Sequence, residues 1–412
     1  MNGWKTYKAE EFCLTVTDGT HDSPKPKTCG RYLITSKHLK PSGIDFSSAN
    51  KISEEDYNKI IQRSKVEQYD ILFSMIGTIG NIHRVTISSV DFAVKNMGIF
   101  KMGGDANRSL WMYYWLQSPE AKEYINSRVS GSTQGYLTLG NLREFPIRVP
   151  SRIEEQKKIT DILSAIDDKI EVNRRINDNL EQQAQALFNE WLSSSKTSKG
   201  VFNDIILTTL TGDWGKENIE GNYTHEVFCI RGADIPQLCN GDKGKMPTRY
   251  ILEKNYKTKR LRANDLVVEI SGGSPTQSTG RICMITQSLL DRLGKDVVCT
   301  NFCRAITPME GYATFIFLYW QLLYHKNIMF SYENGTTGIK NLNISDFLSK
   351  EVIDIPTADE VKRLNTILRP IYNQIYANGL QNEMLSTLRD TLLPKLMSGE
   401  LSVDDVSDDL VC

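Results

Sequence analysis

The sequence predicts an α/β (α+β) protein in which two tandem domains, each followed by a long helix, repeat one pattern. Apolar residues in residues 159–191 recur at alternating steps of four and three, which is the spacing of a coiled-coil seam. The same seam returns 205 residues later, and Asn96 and Tyr114-Trp115 return at that offset as Asn301 and Tyr319-Trp320. A plain coiled-coil rod would repeat about every seven residues, so the repeating unit is a globular domain plus a helix.

The two seams predict long helices at residues 151–199 and 357–400 that pair with each other. Acidic residues begin each helix, where the helix dipole favours them. Pro370 predicts a kink or a later start in the second helix, because proline removes a backbone hydrogen bond.

Each seam keeps polar residues at equivalent places, among them Asn173 and Asn378. A buried Asn in a seam usually fixes register at some cost in stability, so these two residues are predicted to fix the pairing of the helices. The predicted helix-pairing residues are Ile159, Leu163, Ile166, Ile170, Asn173, Leu180 and Leu187 in the first helix and Leu364, Leu368, Ile371, Ile375, Asn378, Leu385 and Leu392 in the second.

The composition is that of an ordinary soluble globular protein, with 40% hydrophobic and 24% charged residues among 412. No apolar run approaches the roughly 18 residues that span a bilayer, and charges interrupt any leader, so we expect a cytoplasmic protein without a membrane partner. The eight cysteines form no Cys-x-x-Cys pair and have no His at ligand spacing, which predicts reduced thiols and no metal site.

The predicted domain boundaries follow Pro150 and Pro356, which close the two copies. The domains are residues 1–150 and 200–356, and an acidic tail occupies residues 401–412. Residues 1–150 hold 19 Lys and Arg against 15 Asp and Glu, whereas the net charge of the whole chain is −1. This balance permits nucleic-acid binding but does not demonstrate it.

Glycine-punctuated polar loops follow apolar strands at equivalent places of the two copies, after residues 70–74 and 265–269. Recognition residues often lie on loops that a rigid strand positions. A second small-residue loop occurs in each copy, at residues 130–136 and 333–338, and the first copy adds a turn-rich loop at residues 18–27. That turn-rich loop is interpreted equally well as plain surface.

Donors to bases and phosphates predict the DNA-binding candidates on these loops. Arg281 is favoured, because a bidentate Arg to guanine is the commonest specific contact. A basic cluster near residue 257 is interpreted equally well as solvated surface or as a phosphate contact. The candidates are Thr20, His21, Lys25, Lys27, Ser74, Thr78, Asn81, Thr133 and Gln134 in the first domain and Lys257, Lys259, Arg260, Ser271, Ser274, Gln277, Thr279, Arg281 and Thr336 in the second.

Four segments carry a resemblance to a known family. They are the strand and loop YDILFSMIGTIGN, the loop SGGSPTQSTGR, and the two domain exits GSTQGYLTLGNLREFPIRVPSRIEEQKKITDIL and GTTGIKNLNISDF…VIDIPT. With the layout of two domains and two long helices, the chain resembles the specificity subunit of type I restriction-modification systems.

The resemblance implies two target-recognition domains that each read one half of an interrupted site in double-stranded DNA. It also implies that the helices pack antiparallel, act as a spacer of roughly 50 Å, and dock two adenine methyltransferase subunits, which restriction subunits then join. This chain would be non-catalytic and bind no cofactor, while S-adenosylmethionine, ATP and Mg would be bound by the partner subunits.

A search for catalytic motifs agrees with that expectation. The chain has no two consecutive prolines, so it lacks the Asp/Asn-Pro-Pro motif of such methyltransferases, and it has no Phe-x-Gly-x-Gly loop. Six residues separate Gly273 from Gly280 and Arg281 follows, which does not match a Walker-type phosphate loop. Glu120-Ala-Lys122 could be a nuclease fragment, but a surface helix is the favoured interpretation.

Two other functions stay open at this point. One is a diverged methyltransferase or nuclease with an unrecognised motif, which S-adenosylmethionine binding by the isolated chain would favour. The other is a coiled-coil adaptor, which would bind methyltransferase partners and bind DNA without regard to sequence.

Overall fold

The computed structural model describes residues 3–40, 43–131, 135–274, 276–335 and 339–403. These residues form two compact units. One unit holds the described residues of Met1–Asp168 and Ser386–Cys412, and the other holds those of Lys169–Leu385. Each unit therefore contains one domain and one part of each long helix.

The first domain alternates short strands with short helices and leads into the first long helix. Local signals explain several helix starts; for example, the Ser53 side chain accepts a hydrogen bond from the backbone of Asp56. The elements are β1 Trp4–Lys8, α1 Ala9–Phe12, β2 Thr15–Asp18, β3 Arg31–Ile34, β4 Leu39–Lys40, β5 Gly43–Ile44, β6 Asn50–Ile52, α2 Glu54–Ser64, β7 Ile71–Ser74, β8 Ile82–Arg84, β9 Phe92–Val94, β10 Met97–Lys101, α3 Ala106–Trp115, α4 Pro119–Arg128, α5 Leu139–Arg143, β11 Pro146–Pro150 and α6 Ile153–Ser194.

The second domain begins with a strand three residues after α6 ends, and it leads into the second long helix. Its elements are β12 Thr197–Val201, β13 Ile206–Thr211, β14 Tyr223–Ile230, α7 Ile235–Cys239, β15 Thr248–Leu252, α8 Glu253–Lys259, β16 Leu266–Glu269, β17 Ser271–Gly272, β18 Ile282–Met284, α9 Gln287–Leu293, β19 Val297–Cys299, β20 Cys303–Pro308, α10 Ala313–His325, β21 Glu333–Asn334, β22 Lys340–Leu342, α11 Ile344–Lys350, β23 Val352–Pro356 and α12 Ala358–Ser398.

The two domains share three sheets with matching strand order. The four-stranded sheet is β2-β10-β7-β8 in the first domain and β13-β20-β16-β18 in the second. The three-stranded sheet is β6-β3-β9 and β15-β14-β19, with one antiparallel and one parallel pairing in each. The first and last strands of each domain also pair, as β1-β11 and β12-β23. The predicted fold class and internal repeat are confirmed.

The long helices bury most of the predicted seam residues, but two expectations are wrong. Leu187 is 38% exposed, and Phe188 is buried in its place. The reason is that Phe188 packs on Phe315 and Tyr319 of α10, which turns the buried face of α6 toward the second domain. The second helix begins at Ala358 and continues through Pro370, so it does not start late. The remaining half-buried seam residues are Leu180, Ile371 and Leu385.

Within the second unit, two buried hydrogen bonds between side chains join the long helices. Asn173 Nδ2 donates to Asn382 Oδ1 at 2.9 Å, and Asn378 Nδ2 donates to Asn177 Oδ1 at 2.8 Å. The partner number falls along α12 as the number rises along α6, so the helices are antiparallel here. The two bonds are equivalent in the sequence repeat, because Asn173 and Asn378, like Asn177 and Asn382, lie 205 residues apart. The role of these residues in fixing register stays a prediction.

The aromatic residues of the helix that precedes each domain exit hold that exit in place. In the first unit Trp111 Nε1 and Trp115 Nε1 donate to backbone carbonyl oxygens of β11, at 3.1 and 2.7 Å. Tyr114 Oη, between them in sequence, donates to Asp167 of α6 at 2.8 Å. In the second unit Tyr319 Oη accepts a hydrogen bond from the backbone N–H of Asp354 in β23 at 3.4 Å, and Trp320 packs on Phe347 of α11 with ring centroids 4.6 Å apart.

Among the described helices, none combines the length and apolar character needed to cross a membrane. In the same parts of the chain, no three His, Cys, Asp or Glu side chains are grouped so that they could hold a metal ion.

Candidate nucleic-acid interface

Loops of the first domain converge at one edge of its sheets, which we call the loop edge. The carboxyl ends of β2 and β7 both lie beside the start of β10, because Gly98 pairs with Asp18 and Met97 pairs with Ser74. The carboxyl end of β3 joins them, since the backbone N–H of Lys95 donates to Ile34 at 2.9 Å. Parallel and antiparallel pairing therefore brings loops from four strands together.

The described residues of the second small-residue loop, 130–131 and 135–136, reach the same edge. The backbone N–H of Leu137 donates to Met75 at 2.9 Å, and Ile76 forms a bridge with Tyr136. The loops that the sequence analysis predicted from residues 70–81 and 130–136 are therefore neighbours. The structure brings together three of the predicted loops of this domain.

The second domain builds the same edge from equivalent elements. Thr211 and Glu269, at the ends of β13 and β16, pair with the first residues of β20. Thr300 N donates to Ile230 O at 2.9 Å, as Lys95 N does to Ile34 O in the first domain. Ser271 at the start of the next loop pairs with Asn341 of β22. The two loop edges are built on the same framework.

A glycine at the end of the first sheet strand is required in both copies. A Cβ at Gly19 would lie 2.2 Å from the carbonyl oxygen of Val94, and a Cβ at Gly212 would lie 2.1 Å from that of Cys299. The chain passes so close to the neighbouring strand that only glycine fits. The residues that follow, His21 and Trp214, therefore occupy equivalent positions on the two edges.

His21 is an exposed candidate that its neighbours hold in place. Its Nδ1 lies 2.9 Å from Asn96 Oδ1, and its Nε2 lies 2.8 Å from Asp18 Oδ2. Asp18 is buried, and Arg63 also contacts it at 3.3 Å. The ring is thus fixed at the surface between a buried carboxylate and an amide, which suits a side chain that contacts a ligand.

Three predicted contact residues are buried, and their interpretation is corrected. Ser74 is fully buried; its hydroxyl donates to the backbone of Thr78 and accepts from Asn81 N at 2.9 Å. Thr279 is also fully buried and donates to Glu333 at 2.9 Å. Thr20 is 8% exposed, and its hydroxyl accepts from Asp22 N. These hydroxyls satisfy polar groups of their own loops.

Arg281, the favoured guanine-reading residue, is engaged inside the domain. Its Nε and Nη2 donate to the two carboxylate oxygens of Glu269 at 2.8 and 2.6 Å. This hydrogen-bonded carboxylate raises the pKa of the guanidinium. The Glu269 side chain is only 6% exposed, so the pair is structural and its fork is not presented for guanine. The prediction of bidentate base reading by Arg281 is corrected.

The other predicted residues fall into four groups. Lys259 donates from Nζ to Gly212 O at 2.9 Å and so supports the edge rather than standing free. Ser271 and Ser274 are half-buried. Thr133, Gln134 and Thr336 lie outside the described residues. The exposed candidates are His21, Lys25, Lys27, Thr78, Asn81, Lys257, Arg260 and Gln277.

The sequence analysis did not predict a cleft on the loop edge of the second domain. It has a volume of about 510 Å³ and is lined largely by apolar surface. Trp214, Phe302 and Ile339 line it, together with Asn301 and the Glu269 carboxylate. The recurrence of Asn96 as Asn301 pointed to this turn, but nothing in the sequence placed Trp214 beside it.

These features define a class: a duplicated binding protein whose two mixed α/β domains present equivalent loop edges and are each followed by a long helix. The family model described as the type I restriction modification DNA specificity domain matches residues 2–182. Residues matched by this model include the whole first domain.

Named relatives agree with the family model. The type I restriction enzyme MjaIX specificity subunit of Methanocaldococcus jannaschii is 28% identical over 316 residues, which cover 72% of this chain and 70% of that subunit. The HindI specificity subunit of Haemophilus influenzae is 22% identical over 407 residues, covering 82% and 88%. A crystal structure of a type I restriction-modification S subunit from M. genitalium covers 96% of each chain, with 17% identity and a TM-score of 0.48.

Residues 2–182 thus match the DNA specificity domain of type I restriction-modification systems, and most of the chain is similar to type I specificity subunits.

Proposed function

We propose that the chain is a type I specificity subunit, non-catalytic by itself, and that each of its domains reads one half of a bipartite, interrupted site in double-stranded DNA through its loop edge. The observation that carries the proposal is that one framework is present twice with different side chains at equivalent loop positions. His21, for example, corresponds to Trp214. A scaffold that holds different side chains at the same places is suited to reading two different half-sites.

The distribution of charge on the first loop edge supports separate groups of residues for phosphates and for bases. Lys25 and Lys27 are exposed on the same loop as His21, and Lys95 reaches that loop through Ser23. Exposed lysines suit phosphates, which position a protein on DNA, whereas His21, Thr78 and Asn81 can reach base edges. In the second domain Lys257 and Arg260 are the exposed phosphate candidates and Gln277 is a base candidate.

The partners belong to the same proposal. The long helices would dock two adenine methyltransferase subunits, and restriction and translocase subunits would complete the nuclease. S-adenosylmethionine, ATP and Mg would then be bound by those subunits and not by this chain. We place the assembly in the cytoplasm, where its DNA substrate lies.

Base-resolved methylation mapping tests the proposal directly. The chain is expressed with its neighbouring methyltransferase subunit in cells that lack other adenine methylation. We expect adenine methylation at one interrupted motif. Exchange of residues 1–150 with those of another specificity subunit should change one half of the motif, and exchange of residues 200–356 should change only the other half.

Two results would contradict it. Methylation of a continuous motif, or a change in both halves when one domain is exchanged, would refute the division into two readers. A stable complex that binds DNA without sequence preference would support the adaptor function instead.

A further inference from the structure

Three large apolar side chains are exposed around one cleft of the second loop edge. Phe302 is 60% exposed, Ile339 is 66% exposed and Trp214 is 38% exposed, and all three line the cleft of about 510 Å³. Single exposed apolar residues are ordinary on a protein surface, whereas a group around one cavity marks a binding site.

The backbone fixes Phe302 at the rim of the cleft. Its carbonyl oxygen accepts a hydrogen bond from Ile270 N at 2.9 Å, and the next residue, Cys303, begins β20. Cys303 is fully buried and its backbone N–H donates to Thr300 at 2.9 Å. The tight turn therefore presents the phenyl ring outward on a rigid support, so that little ordering is needed on binding.

Asn301, directly before Phe302 in the chain, provides a polar side chain beside the phenyl ring. It is exposed and lines the same cleft, and its side-chain amide has no hydrogen-bond partner among the described residues. By contrast, the equivalent Asn96 of the first domain is committed to His21 at 2.9 Å. One amide of the pair is thus used to hold a neighbour, and the other is available to a ligand.

The charges in the cleft are neutralised internally. Glu269 is held by Arg281, and Arg231 makes two side-chain contacts of 3.0 Å with Asp234. An unpaired cleft carboxylate would repel DNA, whereas a paired one leaves apolar surface and the Asn301 amide as the available groups. The occupant should therefore offer a methyl group and an amide-like edge rather than a free charge.

An A·T base pair in the major groove offers both. Adenine presents the N7 acceptor and N6 donor that an Asn amide contacts in a bidentate manner, and thymine presents a methyl group that apolar side chains contact. We propose that Asn301 reads adenine and that Phe302, with Ile339, contacts the thymine methyl of one A·T pair in the half-site of the second domain. This inference rests on the proposed reading of one half-site by each domain.

The first domain provides an internal contrast. At the equivalent places its loop edge has His21 instead of Trp214 and Lys95 instead of Thr300, and its turn lacks a residue equivalent to Phe302. The first edge is therefore polar and basic where the second is apolar. Sensitivity to thymine methyl groups through this turn is expected in one half-site only.

The test uses the complex of the full chain with its methyltransferase subunit and the duplex identified by methylation mapping. Each thymine of the second half-site is replaced in turn by uracil, which lacks only the methyl group, and binding is measured at fixed salt. We expect one position at which uracil weakens binding about fourfold, which is the effect of losing one buried methyl group. In Phe302→Ala, which removes one of the two contacts with the methyl group, the same replacement should weaken binding clearly less than fourfold.

Two further variants make the test specific. Asn301→Ala should weaken binding about tenfold or more and flatten the base preference at that same pair. Leu207→Ala is the matched control, because Leu207 is 64% exposed in the same domain but lies near the far end of β13; it should keep full uracil sensitivity.

The outcomes separate this inference from the proposed function. If no duplex is bound specifically, the proposed function fails. If a specific duplex is bound but no uracil replacement matters, or if Phe302→Ala keeps the wild-type sensitivity, the assignment of Phe302 is overturned. A second half-site without any A·T pair would also overturn it.

Discussion

The buried amide pair of Asn177 and Asn378 permits a quantitative test of how the second unit is held together. Asn177 is fully buried; its Oδ1 accepts from Asn378 Nδ2 at 2.8 Å, and its Nδ2 donates to Asn240 O at 3.0 Å. Asn177→Ala leaves one amide donor and one carbonyl acceptor without these partners. At about 1–3 kcal/mol for each unpaired buried group, we expect a loss of about 2–5 kcal/mol in the free energy of unfolding.

A double-mutant cycle separates the pair from the rest of the network. Asn378→Ala leaves Asn177 Oδ1 without its hydrogen-bond donor, whereas the double variant contains neither of the two amides. The double variant should therefore be about 1–3 kcal/mol more stable than the sum of the single losses predicts. Asn179→Ala, an exposed position on the same helix, is the control and should change stability by less than about 0.5 kcal/mol.

Urea unfolding followed by far-UV circular dichroism measures the wild type and the four variants, and the comparison is valid where the m value is unchanged. Losses that add within about 0.5 kcal/mol would refute the reasoning, because they would mean that the two amides do not depend on each other. A loss for Asn177→Ala no larger than that of the exposed control would show that the network contributes nothing.

Three further changes have defined expectations, each measured as a shift in urea unfolding. Gly379→Ala should destabilise the protein by about 1–3 kcal/mol, because the new Cβ would lie 2.0 Å from a backbone carbonyl oxygen. Gly140→Ala is the control: the nearest atom to its Cβ would be 3.6 Å away, so the free energy of unfolding should change by less than about 1 kcal/mol. Equal effects of the two substitutions would contradict the packing argument. Burial, with a contribution from a neighbouring carboxylate, raises the pKa of Glu181 from 4.5 to about 7, so the folded state binds an extra proton and stability falls as the pH rises from about 4.5 to about 7. Glu181→Gln should therefore be more stable than wild type at pH 8 by about 1–2 kcal/mol, after allowance for solvent screening of a partly exposed group. The difference in stability should vanish toward pH 4.5, and a difference independent of pH would contradict the argument. Arg281→Ala should cost about 3–5 kcal/mol by leaving Glu269 buried without its partner, and Glu269→Gln added to it should restore much of that loss.

The sequence predicted the repeat because the repeat is carried by local patterns. Seam residues such as Leu163 and Leu368 are fully buried, as a period of four and three requires. The exchange of Leu187 for Phe188 could not be predicted, because it depends on where α10 packs against α6. Periodicity identifies the face that a helix buries, but a tertiary neighbour decides how far that face turns.

The loop residues were harder to predict for a different physical reason. Ser74, Thr279 and Arg281 are polar residues in a glycine-rich loop, a pattern that fits ligand contact and fits internal satisfaction equally well. The structure shows the second, because a loop folded tightly over a sheet edge has its own backbone groups and carboxylates to satisfy. Exposed side chains that do not close the loop remain available to a ligand, and the sequence does not distinguish the two sets.

The two domains differ most where their frameworks agree best. Gly19 and Gly212 both permit the same close approach to the neighbouring strand, yet the residues two positions later are a histidine and a tryptophan. At the end of the central strand, Ser74 bonds to the backbone of Asn81, while Glu269 bonds to the side chain of Arg281. Both pairs close the same loop by different chemistry. A contact that closes a loop can be exchanged for another without disturbing the sheet, so the side chains at the loop edge can differ between the two domains while the fold is kept. This separation of loop closure from loop surface is what allows one duplicated framework to present two different recognition edges.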